Sequence, residues 1–138
     1  MSALVTCTSC MRDKQALLQA LAQLGIPVAE ILTSEDGKIL LRGYEKQKKD
    51  VDICVRKSYH AGYSDFGFSL NTSTSTYDVV VDDLDNVGRL AVKLGVKDFT
   101  QSVNQWYTAV KTKKALKNQG LSAKVRRDGD KLVVFAQG

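Results

Sequence analysis

The apolar period of the chain changes at Gly25. Before it, Leu17, Leu21 and Leu24 recur at i, i+4 and i+7, with Leu18 and Ala20 widening the stripe. That spacing predicts a helix over about 12–24, capped by Thr8 or Ser9. Gly25 suits the position after its last turn, and Pro27, the sole proline, prevents continuation. Beyond it the period drops to two. Residues 31–32 and 38–42 read as strands joined into a hairpin through Ser34-Glu35-Asp36-Gly37, because Asp-Gly supplies the positive φ of a tight turn. Val51, Ile53 and Val55 then alternate with Asp52, Cys54 and Arg56 in one strand. Phe66, Phe68 and Leu70 make a second, with Gly67 between the rings, and Tyr77, Val79 and Val81 a third. The polar run 71–76 between these last two reads as a mobile loop.

Helical spacing returns with Leu84, Val87, Ala91 and Leu94, enough for a short helix or turn. Asp98 with Gln101 resembles a capping box, opening the longest helix over about 99–118 with Phe99, Val103, Trp106 and Val110 on its buried face. Gly120 ends it, and 121–127 with 131–136 form a closing hairpin across Asp128-Gly129. Leu21, Gly25, Ile26 and Asp36-Gly37 are echoed by Leu116, Gly120, Leu121 and Asp128-Gly129, so a pseudo-twofold helix–hairpin repeat stands as an expectation beside coincidence. Two main helices around a block of antiparallel strands spell an α+β fold. At 138 residues, the whole of 1–138 is expected to be a single domain that buries its core without staples.

Composition acts mainly by exclusion. A 43% hydrophobic, 25% charged chain folds rather than staying a disordered polybasic tail. No apolar run approaches the roughly 20 residues that span a bilayer, so no membrane partner is expected. The first five residues lack the basic and apolar segments of a signal peptide. Cys7, Cys10 and Cys54 are an odd set, more natural as reduced thiols, and a cytoplasmic location follows as an expectation.

Catalytic chemistry finds little support. Cys7 and Cys10 form a C-x-x-C at a helix start, but a redox motif wants a βαβ context, and a zinc site needs two further ligands. Only Cys54 and His60 exist to supply them. His60, the one histidine, accompanies no nucleophile motif. Asp82, Asp83 and Asp85 would suit a divalent cation only with more oxygens, so capping the next helix while staying solvated is the simpler role. Neither common Gly-rich phosphate loop occurs. The expectation is a non-enzyme without metal or cofactor.

Charge is where the chain becomes specific. Between 38 and 57, seven basic residues face three acidic ones; between 111 and 131, eight face two; the remainder is net acidic. Segregated positive charge attracts polyanions and releases their counterions on contact. Aromatic residues accompany the first tract: Tyr44 beyond Arg42-Gly43, Tyr59 and Tyr63 beyond Arg56-Lys57, then Phe66 and Phe68. Cations beside exposed rings are a general solution for single strands, since every base has a π-face to stack. The run 62–68 also has a distant likeness to an RNA-recognition-motif signature, with Asp65 out of place and the βαββαβ order absent. The structural alternative is that Phe66 and Phe68 are core and the lysines a solvated face.

Leu41-Arg42-Gly43-Tyr44, Val51–Val55, Tyr63 with Gly67-Phe68, then Phe99, Val103, Tyr107, Gln119-Gly120 and Leu132-Val133-Val134 carry a family resemblance. The chain resembles the domain-of-unknown-function family typified by hypothetical chloroplast reading frame thirty-five, with cyanobacterial and bacteriophage relatives, over most of 10–136. The resemblance brings no catalytic residues. It implies a whirly-like fold of curved antiparallel sheets and helices, and a bacterial or phage-infected host cell as the setting.

The expectations that follow are a single-stranded nucleic-acid binder, RNA in preference to DNA, with low sequence specificity. Arg42, Lys46, Lys48, Lys49, Arg56, Lys57, Lys124, Arg126 and Arg127 would meet phosphates, while Tyr44, Tyr59 and Tyr63 would stack bases. Homo-oligomerisation is compatible with this. The rival is an adaptor whose basic face binds an acidic protein.

Overall fold

The computed structural model describes residues 2–137. Its centre is a five-stranded antiparallel sheet in the order β1-β7-β6-β5-β2, formed by β1 (Leu4–Cys7), β2 (Ile31–Thr33), β5 (Ile53–Val55), β6 (Phe66–Asn71) and β7 (Thr76–Asp82). One face is apolar by alternation. Ile53, Val55, Phe66, Phe68, Val79 and Val81 all point to it and are fully buried. Helices α1 (Lys14–Gln23) and α4 (Phe99–Asn118) cover that face through Leu17, Leu21, Phe99 and Val103. Phe99 meets Phe66 at 4.9 Å between ring centres in an edge-on arrangement. Burying each such side chain contributes about 1.5–3 kcal/mol.

The opposite face is half clothed. A separate two-stranded sheet, β3 (Ile39–Arg42) with β4 (Lys48–Val51), sets Leu41 and Val51 on Cys54 and Val80. Gly67 lies opposite Cys54, and a Cβ there would collide with the Ile53 carbonyl, so the strand pairing itself demands glycine. Two short helices, α2 (Asp83–Val87) and α3 (Arg89–Leu94), lead from the sheet to α4, and β8 (Ser122–Asp128) with β9 (Lys131–Gln137) folds back along α4 as a second two-stranded sheet.

The α+β class with antiparallel sheets and two long helices matches the sequence reading, as does α4 with Asp98 capping the Gln101 amide. Four local readings change. The strand β1 went unanticipated, and α1 starts later than expected, capped by Asp13 accepting from Ala16 rather than by Thr8 or Ser9. Residues 8–13 are spent bridging β1 to α1: Ser9 donates to the Tyr77 carbonyl, and the Tyr107 hydroxyl accepts from the Arg12 and Asp13 amides. Second, β2 and β3 do not form a hairpin; β2 pairs with β5 and β3 with β4. Asp52, between β4 and β5, splits the expected strand 51–55 across two sheets while its carboxylate accepts the Leu70 amide. Hence the two halves of the sequence echo take different forms, since only β8 and β9 pair with each other. Third, 71–76 closes as a tight β6–β7 turn, tied by Asn71 to the Ser73 and Ser75 amides. Fourth, the final turn is Gly129-Asp130, one residue later than expected, with Asp128 opposite Lys131.

Candidate nucleic-acid interface

In the first basic tract, a buried carboxylate organises the chain. Asp65, 4% exposed at its side chain, accepts from the Arg42 amide at 3.0 Å, the Lys57 amide at 2.8 Å and the Arg56 guanidinium at 2.8 Å. Arg56 donates again to the Leu40 carbonyl, so its charge serves the framework, and its bond to Asp65 holds its proton more tightly. Asp85 does the same one layer away, accepting the Tyr63 and Ser64 amides and facing His60 at 3.4 Å. Together these carboxylates fasten the segment 56–65 to β3 and α2. Burial pushes the His60 imidazole below its ordinary pKa, with Asp85 opposing that shift.

The other first-tract residues divide. Lys49 shares the inward face with Leu41 and donates to Thr6. Tyr59 is half-buried against the helical layer, with Lys93 over its ring and its hydroxyl 3.5 Å from the Gly25 carbonyl. Tyr44 and Tyr63 stand edge to face at 5.6 Å, and Arg89 lies over Tyr63. Arg42 and Lys48 sit directly opposite each other on the outer face of β3–β4, and Lys46 and Lys57 are exposed. Arg42, Lys46, Lys48 and Lys57 thus remain open, and Tyr44, Tyr63 and Arg89 make a cluster of their own. Lys49 and Tyr59 are half-buried, and Arg56 is tied to Asp65 with its side chain still 40% exposed.

The second tract is arranged differently. The N-terminal half of α4 is core, and its last turns run out into solvent carrying Lys113 and Lys117, while Lys111 and Lys114 lean toward Asp13. Alternation in the hairpin sends Ala123, Val125, Leu132 and Val134 toward α4, and Lys124, Arg126, Val133 and Phe135 outward. Phe135 sits opposite Lys124 in register, and the Arg126 guanidinium lies 5.6 Å from its ring centre. Among the described residues, Lys113, Lys117, Lys124 and Arg126 make no ion pair. Arg127 faces the other way, lining a polar cavity of about 240 Å³ with Lys97, Gln105 and Asp130. The structure therefore groups Lys124 with Arg126 and separates Arg127 from both.

Phe135 and the two lysines Lys113 and Lys117 were missing from the residues selected by sequence. The signal existed: in a strand 131–137, Phe135 shares parity with Lys131, the end whose charge marks the wet face.

The candidate zinc ligands do not assemble. Cys54 lies under the β3–β4 sheet, Cys7 contributes to the opposite core, and His60 is fully enclosed beside Asp85. Burial raises the Cys54 thiol to about 11. Asp82 caps α2 through the Leu84 and Asp85 amides, yet it and Asp85 are buried rather than solvated. Among the described residues no helix is long and apolar enough to cross a membrane.

A layered α+β structure with a two-stranded basic arm packed along α4 is the class defined so far. The chain belongs to the family described as Protein of unknown function (DUF1257), which it matches over residues 20–133. Nothing among curated proteins or solved structures matches it.

Proposed function

We propose that this protein binds single-stranded nucleic acid, RNA in preference to DNA, through the outer face of β8–β9 and the adjoining end of α4. The observation that supports this reading is Phe135, 36% exposed, set between Lys124 and Arg126 on an open strand face. An aromatic ring flanked by cations offers stacking to a base and neutralisation to its phosphates, with little dependence on sequence. Lys113 lines the same cleft as Lys124 and extends the positive surface toward Lys117. Arg42, Lys48, Tyr63 and Arg89 form a secondary contact for a longer strand.

Fluorescence anisotropy with labelled single-stranded RNA, competed by single-stranded DNA, duplex DNA and polyglutamate, tests the reading. Single strands compete best, RNA first, and polyglutamate poorly. Equal competition by polyglutamate would move the protein to the rival class, an adaptor for acidic proteins. Absence of RNA binding at low salt would sink the proposal.

A further inference from the structure

The free edge of β9 carries a second inference, independent of what the outer face binds. The hairpin is only two strands wide, a width that is marginal without a partner, and its two edges differ in chemistry. Along β8 run Lys124, Arg126 and Arg127, and the cleft on that side is lined by Lys113 as well as by Trp106 and by Gln23 of α1. Along β9 the sequence Leu132-Val133-Val134-Phe135-Ala136 has no charge, proline or glycine, and beside it lies an open groove of about 610 Å³ floored by uncharged α4 residues such as Asn104, Thr108 and Thr112. Uninterrupted apolar edges of this kind recruit another strand.

We infer that β9 pairs antiparallel with β9 of a second copy of this chain, making a four-stranded sheet β8-β9-β9-β8 across a twofold axis. The register is set by backbone alternation. A two-residue hairpin makes Asp128 and Lys131 the hydrogen-bonded pair, which turns the amides of Leu132, Val134 and Ala136 outward. Centring the axis on Val134 pairs it with its own copy, sets Leu132 opposite Ala136, Val133 opposite Phe135, and leaves Lys131 opposite Gln137. Every apolar residue then meets an apolar one, and the single cation of the strand meets a neutral amide. The inner row, Leu132, Val134 and Ala136, lies over the groove of the facing copy.

Electrostatics selects this edge over the other. Pairing through β8 would bring two copies of Lys124 and Arg126 to about 5 Å strand spacing, whereas pairing through β9 keeps the two β8 strands roughly 14 Å apart, beyond the Debye length of about 8 Å. The assembled face would present two Phe135 rings on one continuous sheet.

Analytical ultracentrifugation of the wild-type chain over a concentration series, with the same series for Ala136→Pro, tests the interface. Proline at 136 deletes an outward amide used twice across the axis and leaves the bonds to β8 intact. The wild type is expected to sediment as a dimer, and Ala136→Pro as a monomer with an unchanged circular-dichroism spectrum. If that variant misfolds, hydrogen exchange of the wild type decides alone: protection of the Leu132, Val134 and Ala136 amides must rise with protein concentration while that of β7 amides does not. A wild type that stays monomeric with those three amides exchanging freely overturns the proposal, leaving the edge to a strand of another protein. A dimer retained by a folded Ala136→Pro, or open-ended higher oligomers, also overturns it. Loss of RNA binding with the dimer intact would count against the function proposed above and not against this interface.

Discussion

In the stretch 38–57, Arg56 is held by buried Asp65, Lys49 reaches inward to Thr6, and neighbouring Tyr59 rests on the helical layer. In the stretch 111–131, Lys113, Lys117, Lys124 and Arg126 have no acidic partner among the described residues, and Phe135 lies open beside the last two. The two tracts thus differ in a few cations rather than throughout, since Arg42, Lys46, Lys48 and Lys57 of the first are also exposed and without an ion pair among the described residues. A cation that compensates a buried carboxylate cannot be removed without leaving that charge unpaired; a cation on a strand with nothing opposite it remains available to a ligand. Counting basic residues does not separate the two. Counting the carboxylates that face them does not either, since among the described residues Arg56 alone is paired in the first, and Lys111 and Lys114 share Asp13 in the second. What distinguishes the second is that Lys124, Arg126 and Phe135 lie together on one strand face.

The widest separation between the two tracts is expected in stability. Asp65→Ala strips one acceptor from the Arg42 and Lys57 amides and from Arg56 at once, and is expected to cost about 3–5 kcal/mol in urea unfolding. Phe99→Ala, which empties the centre of the helical layer, belongs in the same range of about 3–5 kcal/mol and serves as a calibration. Lys124→Ala/Arg126→Ala should shift stability by no more than about 0.5 kcal/mol. If the two tracts responded alike, the division between framework and free surface would be lost.

Next in size is the effect on binding. Phe135→Ala is expected to weaken single-stranded RNA binding by about 1–3 kcal/mol while leaving its salt dependence unchanged. Lys124→Ala/Arg126→Ala should instead flatten that dependence, by about 0.7 in log K against log salt for each phosphate no longer neutralised. Arg42→Ala/Lys48→Ala should flatten it as well but with a smaller loss of affinity, and Tyr44→Ala should change little. A dominant loss from Tyr44→Ala would reverse the ranking of the two tracts.

The response to pH should be the weakest of the three. Burial depresses the His60 pKa, so the folded state favours the neutral ring. Its contribution to stability is present above the ordinary value near 6.5 and is lost as pH falls through the depressed folded value, because the unfolded chain takes up the proton first. Melting curves should show the midpoint declining across that interval, and His60→Gln should remove that part of the slope. A midpoint that rises as pH falls below 6.5 would contradict the assignment.

Much of this was legible from residue spacing. The leucines of α1, the cap and apolar stripe of α4, and the inward residues of β5, β6 and β7 follow from period alone. The burial of Cys54 and Val80 on the reverse of the sheet depends instead on the β3–β4 pair that covers them. The β2–β3 pairing was misread because Asp36-Gly37 is a sound local turn, yet the turn joins strands that enter different sheets, and local chemistry carries no information about that. Strand β1 was missed because its pairing with β7 joins the two ends of a long sequence separation. At the site, the tyrosines drew attention because they adjoin basic residues in sequence, and only burial shows Tyr59 leaning on the core. Phe135 was not among the residues that the sequence singled out. Its register opposite Lys124 depends on placing the turn at Gly129-Asp130, one residue from where Asp-Gly alone suggests.

Whether the C-terminal arm is the free binding surface can be read from where RNA attaches. Photo-crosslinking of the protein to single-stranded RNA containing 4-thiouridine, followed by peptide mapping, gives that position. Adducts are expected at Phe135 and within 122–137, with at most a minor yield at Tyr63. Adducts confined to Tyr44, Tyr59 and Tyr63, or none under conditions that crosslink a control RNA binder, would overturn the assignment of the arm.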